Sequence, residues 1–278
     1  MKYIDKSNSS AAKNALDTWK ANKNGLKALC DDTSINPQKI WKKLPKPLEN
    51  TLREALHKEQ NSMCCYCGKE LQKRKKERIL EHFKPKSKDR WNRMFDYDNL
   101  LLSCHGNSFE WYQIKSTDSW ESIGRNWSPE ILQDFKTLNN DIEFKAGANI
   151  KIGYIKGAAN HHCDNFKDSH DMPLSINLTT LPDCIDRFKY VVIDDKIADE
   201  IGFIKGNDSD AEKAIAVLNL NEKNLVEARK AIIKDTIDYI GNMPDNDIEP
   251  IQQYIAAQTH FYAVVRACFK EILNLNYL

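Results

Sequence analysis

The chain has 278 residues, 41% hydrophobic and 29% charged, which is enough apolar material for one large domain or two modest ones. The formal net charge is only +1, so the composition excludes a globally basic nucleic-acid binder, and any such binding must come from local charge. No run of 18 apolar residues occurs, which excludes a membrane-spanning helix, and the start Met-Lys-Tyr-Ile-Asp-Lys-Ser-Asn lacks the apolar stretch of a secretory signal. The expected location is the cytoplasm.

Residues 1–60 read as a helical segment. A first helix is expected from Ser10 to about Leu29, capped by Ser9 or Ser10. Pro45 and Pro47 interrupt the pattern, and a second helix is expected from about Leu48 to Glu59, with Leu48, Leu52 and Leu56 on one face. Residues 61–175 change character: cysteine, histidine and basic residues concentrate and helical periodicity fades. Within them, about 108–160 reads as an insertion. It carries Trp111, Trp120 and Trp127, then an expected hairpin in which Ile142 and Phe144 alternate before the turn 146–149 and Ile150, Ile152 and Tyr154 alternate after it.

Residues 176–278 read as helical again. Ser209-Asp210-Ala211-Glu212 has the composition of a helix start. Asn221 is placed to cap a helix running to about Ile240, and a last helix is expected from about Pro250 to Leu273. The fold class that follows is α+β, mostly helical around a small cysteine-rich core.

Eight cysteines are present. In a reducing compartment, clustered cysteines point to metal or catalysis, and the scattered Cys30, Cys184 and Cys268 to apolar filling. Cys64-Cys65-Tyr66-Cys67-Gly68 contains a C-x-x-C, whose two thiolates can face one Zn²⁺ while Cys65 points away. The best candidates to complete a tetrahedral set are Cys104 and Cys163. They are far apart in sequence, so the insertion must leave and return at one place. His105, His161 and His162 are the substitutes.

Between the cysteine pairs lies Ile79-Leu80-Glu81-His82-Phe83-Lys84-Pro85-Lys86-Ser87: an apolar strand, an acid, a histidine and a basic loop. Tyr97-Asp98-Asn99-Leu100-Leu101-Leu102 follows, and after the insertion Cys163-Asp164-Asn165-Phe166-Lys167. This ordered set resembles the zinc-stapled ββα-metal nucleases of the HNH type. More narrowly, E-H-F-K-P-K-S, Y-D-N-L-L-L-S-C, H-C-D-N-F-K and the later A-I-A-V-L-N-L-N look like the PtuB family of the Septu anti-phage defence system, over roughly residues 60–230.

The resemblance implies a DNA endonuclease with structural Zn²⁺ and catalytic Mg²⁺ or Mn²⁺, working with a PtuA-type ATPase. His82 matches the general base, and Glu81 the acidic ligand of the catalytic cation. Asn99 matches the residue that braces the loop and orients the base. Asp164 matches the second cation ligand, with His161, His162 and His170 as neighbouring alternatives. Lys167 matches a phosphate contact. The helical ends would be docking surfaces for the partner. From 69 to 90 ten basic residues face four acidic ones, and Lys84, Lys86, Lys88 and Arg90 are the candidate phosphate-contacting rim.

A zinc-stabilised binding or adaptor module without catalysis is the alternative; it keeps the zinc and the basic loop but gives Glu81, His82 and Asp164 no task. A nucleobase deaminase is disfavoured, since Phe83-Lys84 follows His82 where H-x-E is needed and no proline precedes Cys64. His57 and His260 sit in helical patterns and are expected to be ordinary helix residues.

Overall fold

The computed structural model describes residues 3–72, 78–106, 112–114, 150–152, 162–163, 167, 172–179, 181, 186–193, 200–243, 248–258 and 260–275. The chain is α+β. Its described strands form three separate two-stranded antiparallel sheets.

The N-terminal segment folds as α1 (Ser10–Asn22), α2 (Leu26–Asp31), α3 (Pro37–Trp41) and α4 (Lys46–Glu59). The single helix expected from Ser10 to about Leu29 is two helices. Gly25, at φ 72°, sits in a left-handed conformation that ends the first path and starts the second, a conformation glycine adopts without cost. The short α3 carries no periodic signal; it starts at Pro37 with the Asn36 side chain accepting from the Gln38 N–H at 2.8 Å. Pro45 does not end α4 but precedes it, and Pro47 lies in its first turn, where a missing N–H costs nothing. Leu52 and Leu56 are fully buried, each a gain of about 1.5–3 kcal/mol, while Leu48 packs half-buried beside them.

The central sheet pairs β1 (Ile79–His82) with β2 (Leu100–Ser103) in the register Ile79↔Ser103 to His82↔Leu100. Its outer edge is closed by side-chain amide and main chain. Gln60 gives Leu102 a donor and an acceptor, at 2.8 and 2.7 Å, and the Cys65 N–H donates to the Leu102 carbonyl at 3.0 Å. The sheet therefore presents no bare edge on that side. Lys6 reaches the Leu100 carbonyl at 2.6 Å while paired with Glu59 at 3.2 Å, tying the N-terminus to β2. The short α5 (Arg90–Arg93) lies in the connection between β1 and β2.

In the insertion, β4 (Ile150–Ile152) pairs with β3 (Tyr112–Ile114), while the stretch around Ile142 and Phe144 of the expected hairpin lies outside the described residues. One partner of β4 thus lies at the insertion's entrance. Entrance and exit run antiparallel side by side, as the meeting of Cys104 and Cys163 requires. Trp111, Trp120, Trp127 and Cys184 also lie outside the described residues.

The C-terminal region begins with a hairpin of β5 (Phe188–Tyr190) and β6 (Ile204–Gly206), followed by α6 (Ser209–Leu218), α7 (Lys223–Gly241), α8 (Ile248–Ala257) and α9 (Tyr262–Ile272). Asp208 caps α6 through the Asp210 and Ala211 N–H groups. Asn221 does not cap α7; Glu222 does, and the Asn221 amide instead brackets Ile204 with two 2.8 Å hydrogen bonds. The expected last helix is two, α8 ending at Ala257 and α9 starting at Tyr262, with Phe261 at φ 49°. The break has a partner: the Phe261 N–H donates to the Gly68 carbonyl at 2.7 Å, and His260 accepts from the Glu70 N–H at 3.0 Å. His260 is therefore a docking residue and not a helix residue, whereas His57 stays in α4, hydrogen-bonded to the Leu71 carbonyl.

One apolar cluster runs from Ile4 through β1 and β2 to Cys268. The amphipathic stripes of both helical ends are used inside the chain itself. Among the described residues no helix is long and apolar enough to cross a membrane.

Candidate metal centre and active site

Cys64 and Cys67 sit on a tight turn. The Cys64 N–H donates to the Lys69 carbonyl at 2.8 Å, the Gly68 N–H donates to the Cys64 carbonyl at 3.1 Å, and Gly68 takes φ 77°. Cys104 follows the end of β2, so the β1–β2 pairing delivers it beside the turn. Its N–H points at the Cys64 sulfur, 3.2 Å away. Cys163 arrives from the far side of the insertion. The His162 N–H donates to the Gly106 carbonyl at 2.9 Å, and Cys163 itself adopts a left-handed φ of 54°.

The four sulfurs lie within 4.8 Å of one another, and all four residues are buried. Cys64 and Cys163 Sγ are 3.9 Å apart, and Cys67 and Cys104 Sγ 3.7 Å. Four thiolates each about 2.3 Å from a central ion stand about 3.8 Å from one another in a tetrahedron. The donor set therefore fits a metal such as zinc. Cys65 is not one of the four. His162, buried beside them with Nδ1 3.1 Å from the Cys163 sulfur, flanks the set without being needed to complete it. His161 and His170 lie outside the described residues.

Burial raises the Cys64 thiol, but hydrogen bonds from Cys104 and Cys163 outweigh it and hold Cys64 well below its ordinary range. Burial, joined by Cys104, pushes Cys163 well above its own. A divalent ion at this site would take all four as thiolates.

Glu81 and His82 end β1. Successive strand side chains leave opposite faces, and these two diverge. Glu81 turns to the side of the cysteine turn, where Oε1 accepts from the Tyr66 hydroxyl at 2.8 Å and pairs with the Lys167 ammonium at 2.7 Å. His82 turns toward the N-terminal helices. Its Nε2 bonds the Met94 carbonyl at 3.0 Å, and its ring meets Trp41 edge-on at 4.7 Å. A carbonyl only accepts, so Nε2 carries the proton and Nδ1 keeps its lone pair. Burial, with Lys86 second, pushes the His82 pKa down to about 4, so the imidazole is neutral near pH 7.

Asn99 braces this end of the sheet. Its Oδ1 accepts from the Lys84 N–H at 2.8 Å, and its Nδ2 donates to the carbonyls of Lys84 at 3.1 Å and Arg93 at 2.9 Å. Its own carbonyl accepts from the Phe83 N–H at 3.0 Å. The loop that follows His82 is thus tied to the start of β2 through one buried amide.

The basic residues divide. Lys84 and Lys86 are half-buried and Lys88 is exposed. Lys86 also reaches Gln38 at 2.9 Å. The Arg90 guanidinium instead holds the Asp32 and Ile35 carbonyls, each at 2.9 Å, and so clamps the α2–α3 connection. Lys167, expected at phosphate, is 1% exposed, with its ammonium on Glu81 and on the His82 carbonyl at 3.1 Å. Asp164 lies outside the described residues. Residues that the sequence did not single out are Tyr66, Met94, Gln60 and Trp41. Only Tyr66 had a signal, its place inside the C-x-x-C.

No protein-family model matches the chain, and no curated protein matches it.

Proposed function

We propose that the chain is a metal-dependent HNH endonuclease of the PtuB type that hydrolyses phosphodiester bonds of DNA as the effector of an anti-phage complex with an ATPase partner. The observation that carries this reading is the four-cysteine cluster closing around a β1–β2 pair that bears Glu81 and His82 at its end and Asn99 at the brace. The ordered motif set of this nuclease type asks for that arrangement, with Zn²⁺ on Cys64, Cys67, Cys104 and Cys163.

Mg²⁺ or Mn²⁺ held by Glu81 and Asp164 would supply stabilisation of the charge that gathers on the phosphate and on the leaving oxygen. The remaining work falls to the chain. His82, oriented by the Met94 carbonyl, keeps Nδ1 unprotonated as the proposed acceptor of a water proton, though burial makes it a weaker base than a free histidine. Asn99 holds the loop that carries Lys84, Lys86 and Lys88, the residues available to phosphate. Arg90 instead clamps the α2–α3 connection.

A zinc-stabilised binding or adaptor module is the second reading. The burial of Glu81 and His82, 5% and 3% exposed, favours it. Plasmid cleavage with Mg²⁺ or Mn²⁺ separates the two. Under the nuclease reading His82→Ala keeps its zinc and its fold and loses about 10²–10⁴-fold in rate. Cleavage by His82→Ala at the wild-type rate would sink the catalytic assignment. Co-expression with a PtuA-type ATPase should yield a stable complex.

A further inference from the structure

Arg229 lies on the buried stripe of α7, between Leu225 and Ile233, and is 0% exposed. Its Nε donates to the Gly202 carbonyl and its Nη2 to the Leu220 carbonyl at 2.7 Å. Its Nη1 has no hydrogen-bond partner among the described residues. The one acid whose charge it feels, Glu222, is engaged in capping α7 through the Asn224 and Leu225 N–H groups.

A guanidinium stays charged in a protein. Two carbonyls satisfy N–H groups but leave the charge unanswered, and a charge taken out of water is costly unless an opposite one is near. The fold supplies a candidate. Gly202 donates to the Val191 carbonyl at 2.8 Å, so the guanidinium on Gly202 braces the β5–β6 hairpin. Tyr190, at the end of β5, lines one small cavity with Cys64, Cys67 and Gly68. Arg229 therefore holds the hairpin that packs on the cysteine turn. Burial pulls its pKa down, and Tyr190, Cys67 and Cys163 push it back, ahead of Glu222. Burial keeps Tyr190 a neutral phenol by raising its pKa well above the ordinary value, which leaves the two sulfurs.

Four thiolates around one divalent ion carry an excess of two negative charges. Here they are buried, where attraction between unlike charges reaches beyond contact distance and salt screens it little.

We propose that Arg229 is the counter-charge of the four-cysteine metal site, a positioning residue whose guanidinium offsets the excess negative charge of the thiolate–zinc group and so strengthens zinc binding from outside the ligand set. The proposal rests on zinc at Cys64, Cys67, Cys104 and Cys163 and is independent of the nuclease assignment.

The test compares wild type, Arg229→Lys and Arg229→Gln as full chains. Both variants keep a donor for the Gly202 and Leu220 carbonyls and lose the fork; they differ by one charge. Zinc affinity is measured by competition with a chromophoric chelator, and the site is read separately by absorption after loading with Co²⁺. Both variants should melt below wild type, since both lose a hydrogen bond. Arg229→Lys should bind zinc close to the wild-type affinity, and Arg229→Gln about 10–100-fold more weakly. With Co²⁺, Arg229→Gln should keep the visible bands of a tetrahedral site while its sulfur-to-cobalt charge-transfer band moves to longer wavelength, because thiolates without a nearby cation give up an electron more easily. Arg229→Lys should leave that band in place.

If Arg229→Gln does not fold while Arg229→Lys folds and binds zinc as wild type does, the charge is again what matters. Equal zinc affinity and equal bands in the two variants, or failure of both to fold, makes Arg229 a brace for two carbonyls and overturns the proposal. If wild type takes up neither Zn²⁺ nor Co²⁺, the metal reading of the cysteines falls and takes the counter-charge with it.

Discussion

The sulfur cluster and the acid–histidine pair are built on opposite principles. Cys64 and Cys163 are 99 residues apart and their sulfurs meet at 3.9 Å. Glu81 and His82 are neighbours in sequence, and their side chains part to opposite faces of β1. In the first case tertiary structure gathers what the chain scatters; in the second, strand geometry separates what the chain joins. The difference lies in what each group needs. Four soft donors become stable together only around one ion. A buried carboxylate and a buried imidazole each need their own polar partners, and find them in Lys167 and Tyr66 on one side and Met94 on the other.

The comparison can be broken from the sulfur side first, with the largest effect. Cys67→Ser or Cys163→Ser should drop bound zinc from one per chain to near zero by atomic emission, and lose cooperative thermal unfolding with it, because binding free energy at such a site is folding free energy. Asn99→Ala attacks the other side alone. Three hydrogen bonds to Lys84 and Arg93 disappear, so chemical denaturation should show a loss of about 2–3 kcal/mol with zinc retained. Loss of zinc in that variant would mean the two regions are one cooperative unit.

Smaller changes sharpen the picture. Arg90→Ala removes the clamp on the α2–α3 connection and should cost about 1 kcal/mol in the same denaturation series, leaving zinc content unchanged. A larger loss of DNA binding than of stability would return Arg90 to the phosphate rim. The smallest effect lies far from both regions. Asp208 pairs with Arg187 and caps α6, and the Arg187 hydrogen bond, with the backbone N–H groups behind it, lowers its pKa to about 2. A depressed carboxylate contributes stability that is fully present above the ordinary value of 3.8 and is lost as pH falls toward 2. Asp208→Asn should therefore lower the melting temperature slightly near pH 7, where the charged pair is lost, and flatten its fall over that window.

Much of the architecture was legible in the chain. Periodic leucines placed α4, the Ser209-Asp210-Ala211-Glu212 start placed α6, and the C-x-x-C with Cys104 and Cys163 identified the four sulfurs that now meet. These signals are local, or rest on a residue type that has few other uses. What stayed hidden was decided between distant segments. The breaks in the first and last helices answer to Gly25 and to the docking of Phe261 on Gly68, and neither disturbs the apolar period. Asn221 resembled a cap until Ile204 claimed its amide.

The Glu81-His82 pair marks the boundary most clearly. The sequence by itself determined that an acid and a histidine close an apolar strand beside a cysteine turn and ahead of a basic loop. Only the tertiary structure decided that His82 lies under Trp41 with its Nε2 proton on Met94, and that Glu81 meets Lys167 from across the insertion. The reason is physical. Residue type and spacing specify which groups are available, but the partner that satisfies a buried charge is chosen by whichever segment packs against it.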